Sequence, residues 1–444
     1  DIALRTKAQI IGVPEPGIPT PSEPSVLVAE DLSPADSAGL DPALVVALVI
    51  EKGGATSHTA IIARQLAIPC IVGTAGVLAI GRHDTLSHVI WAFFGNTIDL
   101  FFVISGFLLF LPVVRRGRLK DGVLAFYFRR LVRIQPEYWL TLLVLVLMIA
   151  LIPVTFQPQM PTVGQFLIHV LDLQNAVRMI DPDFLVGFWI DGALWMIPVL
   201  IGLYLVFPPF SRLMLKSPYL ALLVALAVTV GWKYGVHHMP GALDWLARGE
   251  ATNEQLKIIA TEQSPSFAWS FAAGMFAAIL YQRTRVNPGT RWQTTGMPIA
   301  FGLAFAGWII TGIIFSDAAV NTTTGFDGSG LGRMEILPNL VGTTCRAVFV
   351  LFVALGPLFL QRIFDNRLAE TGARLSYGLY MIHLPIAFYI GQLLELQSQG
   401  TFTDLVIWTI AVIPLSLVYA WFSNRFVGRP AIAWGEKRLK KQSN

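Results

Sequence analysis

The sequence has 444 residues, of which 54% are hydrophobic and only 14% are charged, and its formal net charge is +4. Soluble globular chains carry about 25% charged residues, so this composition excludes an ordinary soluble protein and indicates a membrane protein. The positive charge does not indicate nucleic-acid binding, because the basic residues form short clusters between apolar runs, as in the cytoplasmic loops of membrane proteins.

Residues 1–80 differ from the rest of the chain and have the pattern of a water-soluble unit. Three short apolar runs, Val26–Ala29, Val45–Ile50 and Cys70–Val72, have the length of strands, and a helix-like stretch runs from about residue 57 to residue 66. Strands that alternate with a helix predict a small α/β domain.

The segment Gly53–Arg64 carries the chemistry of this unit. It reads Gly-Gly-Ala-Thr-Ser-His-Thr-Ala-Ile-Ile-Ala-Arg and resembles the phosphohistidine signature of phosphoenolpyruvate-utilising enzymes, with surroundings most similar to enzyme I of the sugar phosphotransferase system. A Gly-Gly turn lets the backbone approach a phosphoryl group, and the N–H groups at a helix start bind anions. The resemblance implies that His58 is the phosphorylated nucleophile. The supporting residues are Gly53, Gly54, Thr56, Ser57 and Arg64.

The phosphohistidine domain is predicted to be truncated. The phosphoenolpyruvate-binding barrel that the family needs has no counterpart in the sequence, and the last strands of the domain are cut off after Gly81. We therefore expect the relic of an active domain rather than working phosphotransfer.

From residue 90 the sequence consists of long apolar segments. About nine of them approach the ~20 residues that a membrane-spanning helix needs, and no bilayer-facing strand pattern occurs, so we predict a mostly α, polytopic helical membrane bundle. A shorter apolar stretch, Phe166–Leu173, suits a half-helix or an interfacial segment. The predicted spans are 90–113, 138–156, 184–208, 218–235, 266–282, 296–315, 340–361, 375–394 and 404–422.

Basic clusters predict the orientation of the bundle. Arg115–Lys120 and Arg129–Arg133 fall in one predicted loop, Arg283–Arg291 falls in another, and Glu436–Lys441 closes the chain. Even numbers of predicted spans separate these clusters, so all of them face one side, which the positive-inside rule assigns to the cytoplasm. We expect a multi-pass protein of the inner (plasma) membrane with a cytoplasmic C-terminus. The same count places the N-terminal domain on the outer face of the membrane. One more membrane helix before residue 88 would place that domain in the cytoplasm.

Three segments carry polar patterns close to the predicted spans: Asn96–Leu109, Phe126–Trp139 and Leu375–Pro385, with a weaker one at Phe426–Pro430. Together they resemble acyltransferase family 3, a family of membrane O-acyltransferases, in the right order over residues 88 to about 430. The resemblance implies a bacterial enzyme that moves an acyl group, commonly acetyl, from acyl-CoA to a hydroxyl of an envelope sugar, glycolipid or polymer.

The catalytic candidates are His88 and Asp99. Transfer to a hydroxyl needs a general base, because an alcohol is a poor nucleophile at neutral pH, and His88 stands where the family has a His that ends its first membrane helix. The preceding residues 80–85 are polar and lack the family's Arg, so we expect that this first helix is missing. Asp99 lies within a predicted span. Burying a charged group in the hydrocarbon of a membrane is costly, so we expect such a residue to have a function.

Arg129, Arg130 and Arg133 are the predicted donor-binding residues. Guanidinium groups stay charged and bind phosphates in a fork, which suits acyl-CoA as co-substrate; the alternative is ordinary positive-inside topology. No bound cofactor is expected. No metal site is expected either, because His237 and His238 have no suitably spaced third ligand. Further polar groups at membrane depth are Asn96, His169, Asp172 and Asp191.

The chain thus divides into four predicted segments. They are a truncated phosphohistidine-like domain (1–80), a junction (81–89), a transmembrane acyltransferase domain (90–430) and a basic cytoplasmic tail (431–444). The expected partners are the lipid bilayer, acyl-CoA and an envelope glycan or lipid acceptor. Three alternatives stay open: phosphoenolpyruvate-dependent phosphotransfer through the phosphohistidine, a transporter, and an inactive fusion of two gene fragments.

Overall fold

The computed structural model separates into two compact units, residues 1–87 with 397–405 and residues 88–396 with 406–444. The residues that the structure describes are 25–29, 40–41, 43–50, 70–72, 98–154, 158–181, 192–238, 259–286, 297–321, 328–356, 362, 365–394, 396 and 402–443.

The first unit contains a parallel sheet of three strands. β1 (Ser25–Ala29), β2 (Val45–Ile50) and β3 (Cys70–Val72) pair in chain order, with Leu27 opposite Leu48. Nearly continuous apolar runs are typical of parallel strands that are covered on both faces, and Leu48 is fully buried. The three predicted strands are confirmed, whereas the predicted helix at 57–66 lies outside the described residues.

The second unit is a bundle of helices. Long apolar runs form helices in a membrane protein because a helix satisfies every backbone hydrogen bond within its own segment. The helices are α1 (Ile98–Arg116), α2 (Gly122–Leu151), α3 (Val163–Val170), α4 (Gln174–Ile180), α5 (Met196–Lys216), α6 (Pro218–His238), α7 (Ala268–Val286), α8 (Met297–Asn321), α9 (Gly328–Leu355), α10 (Arg367–Leu393), α11 (Phe402–Ser423) and α12 (Arg429–Ser443).

Each predicted span overlaps one of the long helices, and the short stretch Phe166–Leu173 forms α3 and its end. Five helical stretches of the described chain are long and apolar enough to cross a membrane, so the predicted helical membrane bundle is confirmed. The number of nine spans stays a prediction. The missing first helix also stays a prediction, because residues 73–97 are not described. The five stretches are Ile98–Arg116, Gly122–Leu151, Ala193–Lys216, Pro218–Val236 and Val406–Lys441.

The predicted loop around Arg129–Arg133 is wrong, because these residues lie on helix α2. The turn between α1 and α2 lies earlier, at Gly117–Gly122, where Gly117, Asp121 and Gly122 have positive φ angles of 70°, 58° and 84°. No helix breaker follows until Pro136, and arginine is a good helix former. The charged residues therefore project from a helix in fixed directions rather than from a flexible loop.

Helices α1 and α7 run side by side in the same direction. Asp99 and Ser270 meet near their first turns, and Arg115 donates to Gln282 near their last turns at 3.4 Å. A Cβ added at Gly106 would overlap the carbonyl of Phe271, and the backbone of α1 stands equally close to Gly274. Such close approach through small residues is how membrane helices gain packing energy, since lipid gives them no hydrophobic driving force.

Replacement of Gly106 by Ala is expected to destabilise the bundle by about 1–3 kcal/mol, because the new methyl group forces α1 and α7 apart. Gly231→Ala on α6 is the matched control, since a Cβ there meets no atom within 4 Å. Thermal unfolding in detergent checks the pair. Equal unfolding midpoints for the two variants would contradict the close α1–α7 packing.

Aromatic side chains fill the centre of the bundle between α1, α2, α5 and α7. The ring of Phe207 on α5 stacks on Phe126 of α2 at 5.0 Å and meets Phe271 of α7 edge-on at 6.0 Å. Phe102 and Tyr138 are fully buried in the same cluster. This core packs one side of α2, and the polar side chains of α2 contact α5, the end of α11, α12 and the turn between α3 and α4.

Helix α12 and the end of α11 lie along the other side of α2. The ring of Trp434 meets Phe128 at 5.9 Å, and Glu436 accepts from Arg129 at 3.2 Å. Further along, Ser423 donates to Glu137 at 2.9 Å. The C-terminal helices therefore position the polar face of α2.

Candidate functional site

The predicted general base and the predicted phosphohistidine residues lie outside the part of the chain that the structure describes. These residues are His88 and His58, with Gly53, Gly54, Thr56, Ser57 and Arg64. Their roles stay predictions. The structure describes Asp99 and the arginines that are predicted to bind the donor. The contacts of these side chains differ, so they are taken one by one.

Arg129 is held by neighbouring carboxylates. Its guanidinium group forms ion pairs with Asp121 and with Glu436, and it also donates to the carbonyl of Lys120 at 3.3 Å. These contacts join the start of α2 to α12. Arg129 therefore has little capacity left for a ligand.

Arg130 and Arg133 form no ion pair with a carboxylate among the described residues. The Arg130 guanidinium group lies over the rings of Phe126 and Tyr204, at 5.8 and 5.9 Å, and its buried Nε has no hydrogen-bond partner there. Arg133 is one turn further along the same face of α2 and is exposed. Two neighbouring guanidinium groups repel each other, so an anion would stabilise the pair.

A row of buried and half-buried tyrosines continues from this pair into the bundle. Tyr204 of α5 is buried beside Arg130, and the Tyr377 hydroxyl of α10 donates to the Ile134 carbonyl of α2 at 3.1 Å. The Tyr138 hydroxyl of α2 accepts from Gln174, at the start of α4, at 3.0 Å. Polar groups thus connect the arginine pair on α2 with the turn between α3 and α4.

That turn places a carboxyl group against the middle of α2. Asp172 accepts a hydrogen bond from Gln135, and the indole of Trp139 donates to the carbonyl of Val170 at 3.1 Å. Burial raises the pKa of Asp172 to about 7, and the hydrogen bond from Gln135 offsets part of this shift. A group of this kind can exchange a proton near neutral pH.

A second layer of hydrogen bonds fixes the α3–α4 segment. The amide of Asn175 donates to the carbonyls of Trp195 and Glu262, at 2.9 and 3.0 Å. Arg178 pairs with the Glu262 carboxylate at 2.8 Å, and burial nevertheless raises the pKa of Glu262. The Nδ1 of His169 faces the Gln165 carbonyl at 2.8 Å, and burial lowers its pKa, which favours a neutral imidazole.

Asp99 lies in a separate network at the starts of α1 and α7. Its carboxylate accepts from Ser270 and from Asn339, both at 2.7 Å, and Arg346 lies 3.7 Å from it. Lys233 in turn donates to Asn339 at 3.1 Å. The network ties α1, α6, α7 and α9 together, and every oxygen of Asp99 has a donor.

Comparison with known proteins decides the family. The family model described as an acyltransferase domain matches residues 62–424, which is most of the chain. The chain belongs to this acyltransferase family. The predicted resemblance is therefore confirmed, and the long apolar helices of the described chain are those of a multi-pass membrane protein.

A second family model, the mobile domain of phosphoenolpyruvate-utilising enzymes, matches residues 21–89 of the chain. A Streptomyces coelicolor phosphoenolpyruvate-protein phosphotransferase is 53% identical over 76 residues, and those of Enterococcus faecalis and Bacillus subtilis are 49% and 43% identical over 74 residues each. These matches cover 17% of this chain and 13–14% of the relatives. The predicted N-terminal resemblance is confirmed, and no solved structure matches the chain.

The segments Phe126–Trp139 and Leu375–Pro385 contain residues whose importance only the fold reveals. Gln135, Tyr138 and Tyr377 stand in those segments, but nothing in the spacing shows that α3 and α4 return to meet them. Tyr204 is a further residue of this kind. Its contact with Arg130 links α2 and α5, which are far apart in sequence.

The raised pKa of Asp172 predicts a pH-dependent stability. A carboxyl whose folded pKa is about 7, above the unfolded value of about 3.9, binds its proton more tightly in the folded state, so its contribution to stability falls as pH rises from about 4 to 7. Asp172→Asn is expected to remove this slope and to raise the thermal midpoint at pH 8 more than at pH 5. Parallel pH curves for the variant and the wild type would contradict this prediction.

Proposed function

We propose that the acyltransferase moves an acyl group, most simply acetyl, from acyl-CoA to a hydroxyl of an envelope glycan or lipid. One observation carries the donor assignment. Arg130 and Arg133 present two guanidinium groups on one face of α2, without a carboxylate partner among the described residues, at the end of a buried polar row. The phosphates of coenzyme A match this pair, because guanidinium groups bind phosphate oxygens in a fork.

The reaction that we propose needs one base and one leaving group. The acceptor hydroxyl loses its proton to His88 while its oxygen bonds to the thioester carbonyl. The C–S bond then breaks, and the coenzyme A thiolate takes up a proton. Asp99 is surrounded by donors, so we propose that it positions α1 rather than accepting the proton.

The proposed donor determines which side of the membrane the two arginines would face. Acyl-CoA is a cytoplasmic compound, so Arg130 and Arg133 would face the cytoplasm of a plasma-membrane protein, with α12 on the same side. Arg129 joins α12 to the start of α2, which supports a common side for both helices. The acceptor would then enter from the bilayer or from the opposite face.

The role of His88 is tested with the purified protein in lipid nanodiscs. Release of coenzyme A from acetyl-CoA is measured in the presence of a bacterial envelope extract. His88→Gln is expected to lower the rate by about 100-fold or more, the size of a general-base contribution. His83→Gln, five residues earlier, is the matched control and should retain activity. Equal rates for both variants would remove His88 from the mechanism.

Phosphotransfer through His58 is the second candidate function. It is favoured by the 53% identity with a phosphoenolpyruvate-protein phosphotransferase over 76 residues and by the parallel strands of that segment. Incubation with labelled phosphoenolpyruvate, in wild type and His58→Ala, tests it. His58-dependent label in the wild type would establish the activity, and equal labelling of wild type and His58→Ala would contradict it.

A further inference from the structure

Helix α12 is strongly basic, and its basic side chains are all exposed. They are Arg429, Lys437, Arg438, Lys440 and Lys441. The one acid of the helix, Glu436, accepts from Arg129 of α2 at 3.2 Å. That carboxylate therefore neutralises an arginine of α2, and the exposed side of α12 keeps a strong positive charge.

The three lysines of α12 line an open groove of about 420 Å³, together with Ala433 and Glu436. Lys437, Lys440 and Lys441 are three and four positions apart, so they share one face of the helix. The side chain of Ala433 ends at Cβ and leaves room beside the lysine stems. Ammonium groups held around one groove repel each other, so an anionic group in the groove would stabilise them.

The groove lies on the side of α12 that is turned away from α2. Gly435 marks the side that packs on α2, since a Cβ added there would lie 2.7 Å from Val132. At about 100° per residue, the three lysines lie about 120–160° around the helix from Gly435. The proposed donor residues Arg130 and Arg133 belong to α2 and do not line this groove.

Helix α12 continues a membrane-spanning helix without a break. The helical stretch Val406–Lys441 has 36 residues and passes from α11 to α12 through one π-helical turn, Asn424–Gly428. At 1.5 Å per residue this stretch is about 54 Å long, whereas the hydrocarbon core of a bilayer is about 30 Å thick. Charged side chains are costly within hydrocarbon. The apolar end therefore occupies the hydrocarbon, and the basic end reaches the lipid headgroups.

Exposed aromatic rings stand where this stretch changes from apolar to basic. Trp421, Phe422 and Phe426 lie around the π-helical turn, and each is at least half exposed. Tryptophan is enriched at the boundary between hydrocarbon and headgroups, and Trp and Phe form the apolar side of helices that bind membrane surfaces. These rings place the start of the basic helix at the level of the headgroups.

We propose that the basic face of α12 binds the headgroups of anionic phospholipids, so that the protein selects these lipids from the surrounding bilayer. Charge complementarity favours this ligand, because a cluster of about four to eight basic residues directly after a membrane helix attracts anionic lipids. An open groove beside a membrane span admits a lipid that diffuses within the bilayer. Coenzyme A also carries phosphates, but the groove is turned away from the proposed donor arginines of α2.

The full chain in detergent micelles is titrated with phosphatidylglycerol or with phosphatidylcholine, and native mass spectrometry counts the bound lipid. Phosphatidylglycerol is expected to bind the wild type about tenfold more tightly than phosphatidylcholine or better. Replacing Lys437, Lys440 and Lys441 together by Gln should weaken phosphatidylglycerol binding by about 100-fold, because each basic residue near an anionic surface contributes about a fivefold attraction. Binding of phosphatidylcholine should not change.

Two further variants serve as controls for this experiment. Arg116, Arg118 and Lys120 are exposed near the turn between α1 and α2, and their joint replacement by Gln removes the same charge at another place. This variant should keep the affinity for phosphatidylglycerol. Replacing the three lysines of α12 by Arg keeps the charge and should also retain binding, which distinguishes a lost site from a misfolded protein.

Three results would overturn the lipid site on α12. Equal losses in the two Gln variants would show a general effect of net charge. Equal affinities of the wild type for the two lipids would show that the charge of the headgroup does not matter. Weaker binding of coenzyme A by the lysine variant, with unchanged lipid binding, would assign the groove to a soluble phosphate compound. The lipid titration contains no acyl-CoA, so its outcome does not depend on acyl transfer.

Discussion

Replacement of Asp99 by Leu is expected to destabilise the protein by about 3–5 kcal/mol, the typical cost of removing one partner from a buried ion pair. Arg346 is 2% exposed and Asp99 is 6% exposed, so the guanidinium group would be left without its counter-ion in the bundle. Ser270 and Asn339 would lose their acceptor as well. Most of the variant should unfold at temperatures where the wild type is folded, as thermal unfolding in detergent would measure.

The paired variant Asp99→Leu with Arg346→Met is the control for this prediction. Without the buried cation, a part of the lost stability should return, so the two changes should be less than additive. The paired variant also distinguishes a positioning role from a catalytic one. If the refolded double variant transfers acyl groups, Asp99 only holds α1 and α9 together. A folded double variant without activity would instead restore Asp99 as a catalytic residue.

Replacing both Arg130 and Arg133 by Gln is expected to raise the KM for acetyl-CoA by about 100-fold or more. Each charged hydrogen bond contributes about 1.5–3 kcal/mol, and about 1.4 kcal/mol corresponds to a tenfold change. The single variants should each show about a tenfold effect, with little change in kcat. Steady-state kinetics with acetyl-CoA in nanodiscs measures the effect.

Two further arginines provide matched controls for the donor site. Arg118 is exposed in the turn before α2, and Arg118→Gln should leave the KM unchanged. Arg129 is paired with Asp121 and Glu436, so Arg129→Gln should lower the thermal midpoint without changing the KM. A KM effect that is equal in all four arginine variants would indicate a general effect of charge and would contradict a specific site on α2.

The composition and the apolar runs predict the class of fold and the position of its helices well, because both depend on local sequence. The three strands were also predictable, since a strand such as Val45–Ile50 is a continuous run of Val, Ile, Leu and Ala. The start of α2 was not predictable in this way. Charged residues suggested a loop around Arg129, but a helix tolerates them when α12 supplies a partner such as Glu436.

The candidate site was only partly predictable, because its parts meet through tertiary packing. The sequence alone does not distinguish Arg129 from Arg130 and Arg133. The ion pairs of Arg129 in the structure make this distinction. Asp172 was visible as a polar residue in an apolar stretch, but its contact with Gln135 depends on α3 and α4 folding back onto α2. Hydrogen bonds between positions 37 residues apart leave no local periodic signal.

Transfer of an acyl group from acyl-CoA is tested with acetyl-CoA that carries one isotope in the acetyl group and another in the adenine. Vesicles that contain the full chain and an envelope extract receive this donor on the side of Arg133. We expect that the acetyl label becomes covalently attached to envelope material while the adenine label stays in solution as free coenzyme A, and that Arg133→Gln slows both changes. Uptake of a solute without cleavage of the thioester, or no cleavage above that of vesicles without the protein, would contradict an acyltransferase that uses acyl-CoA.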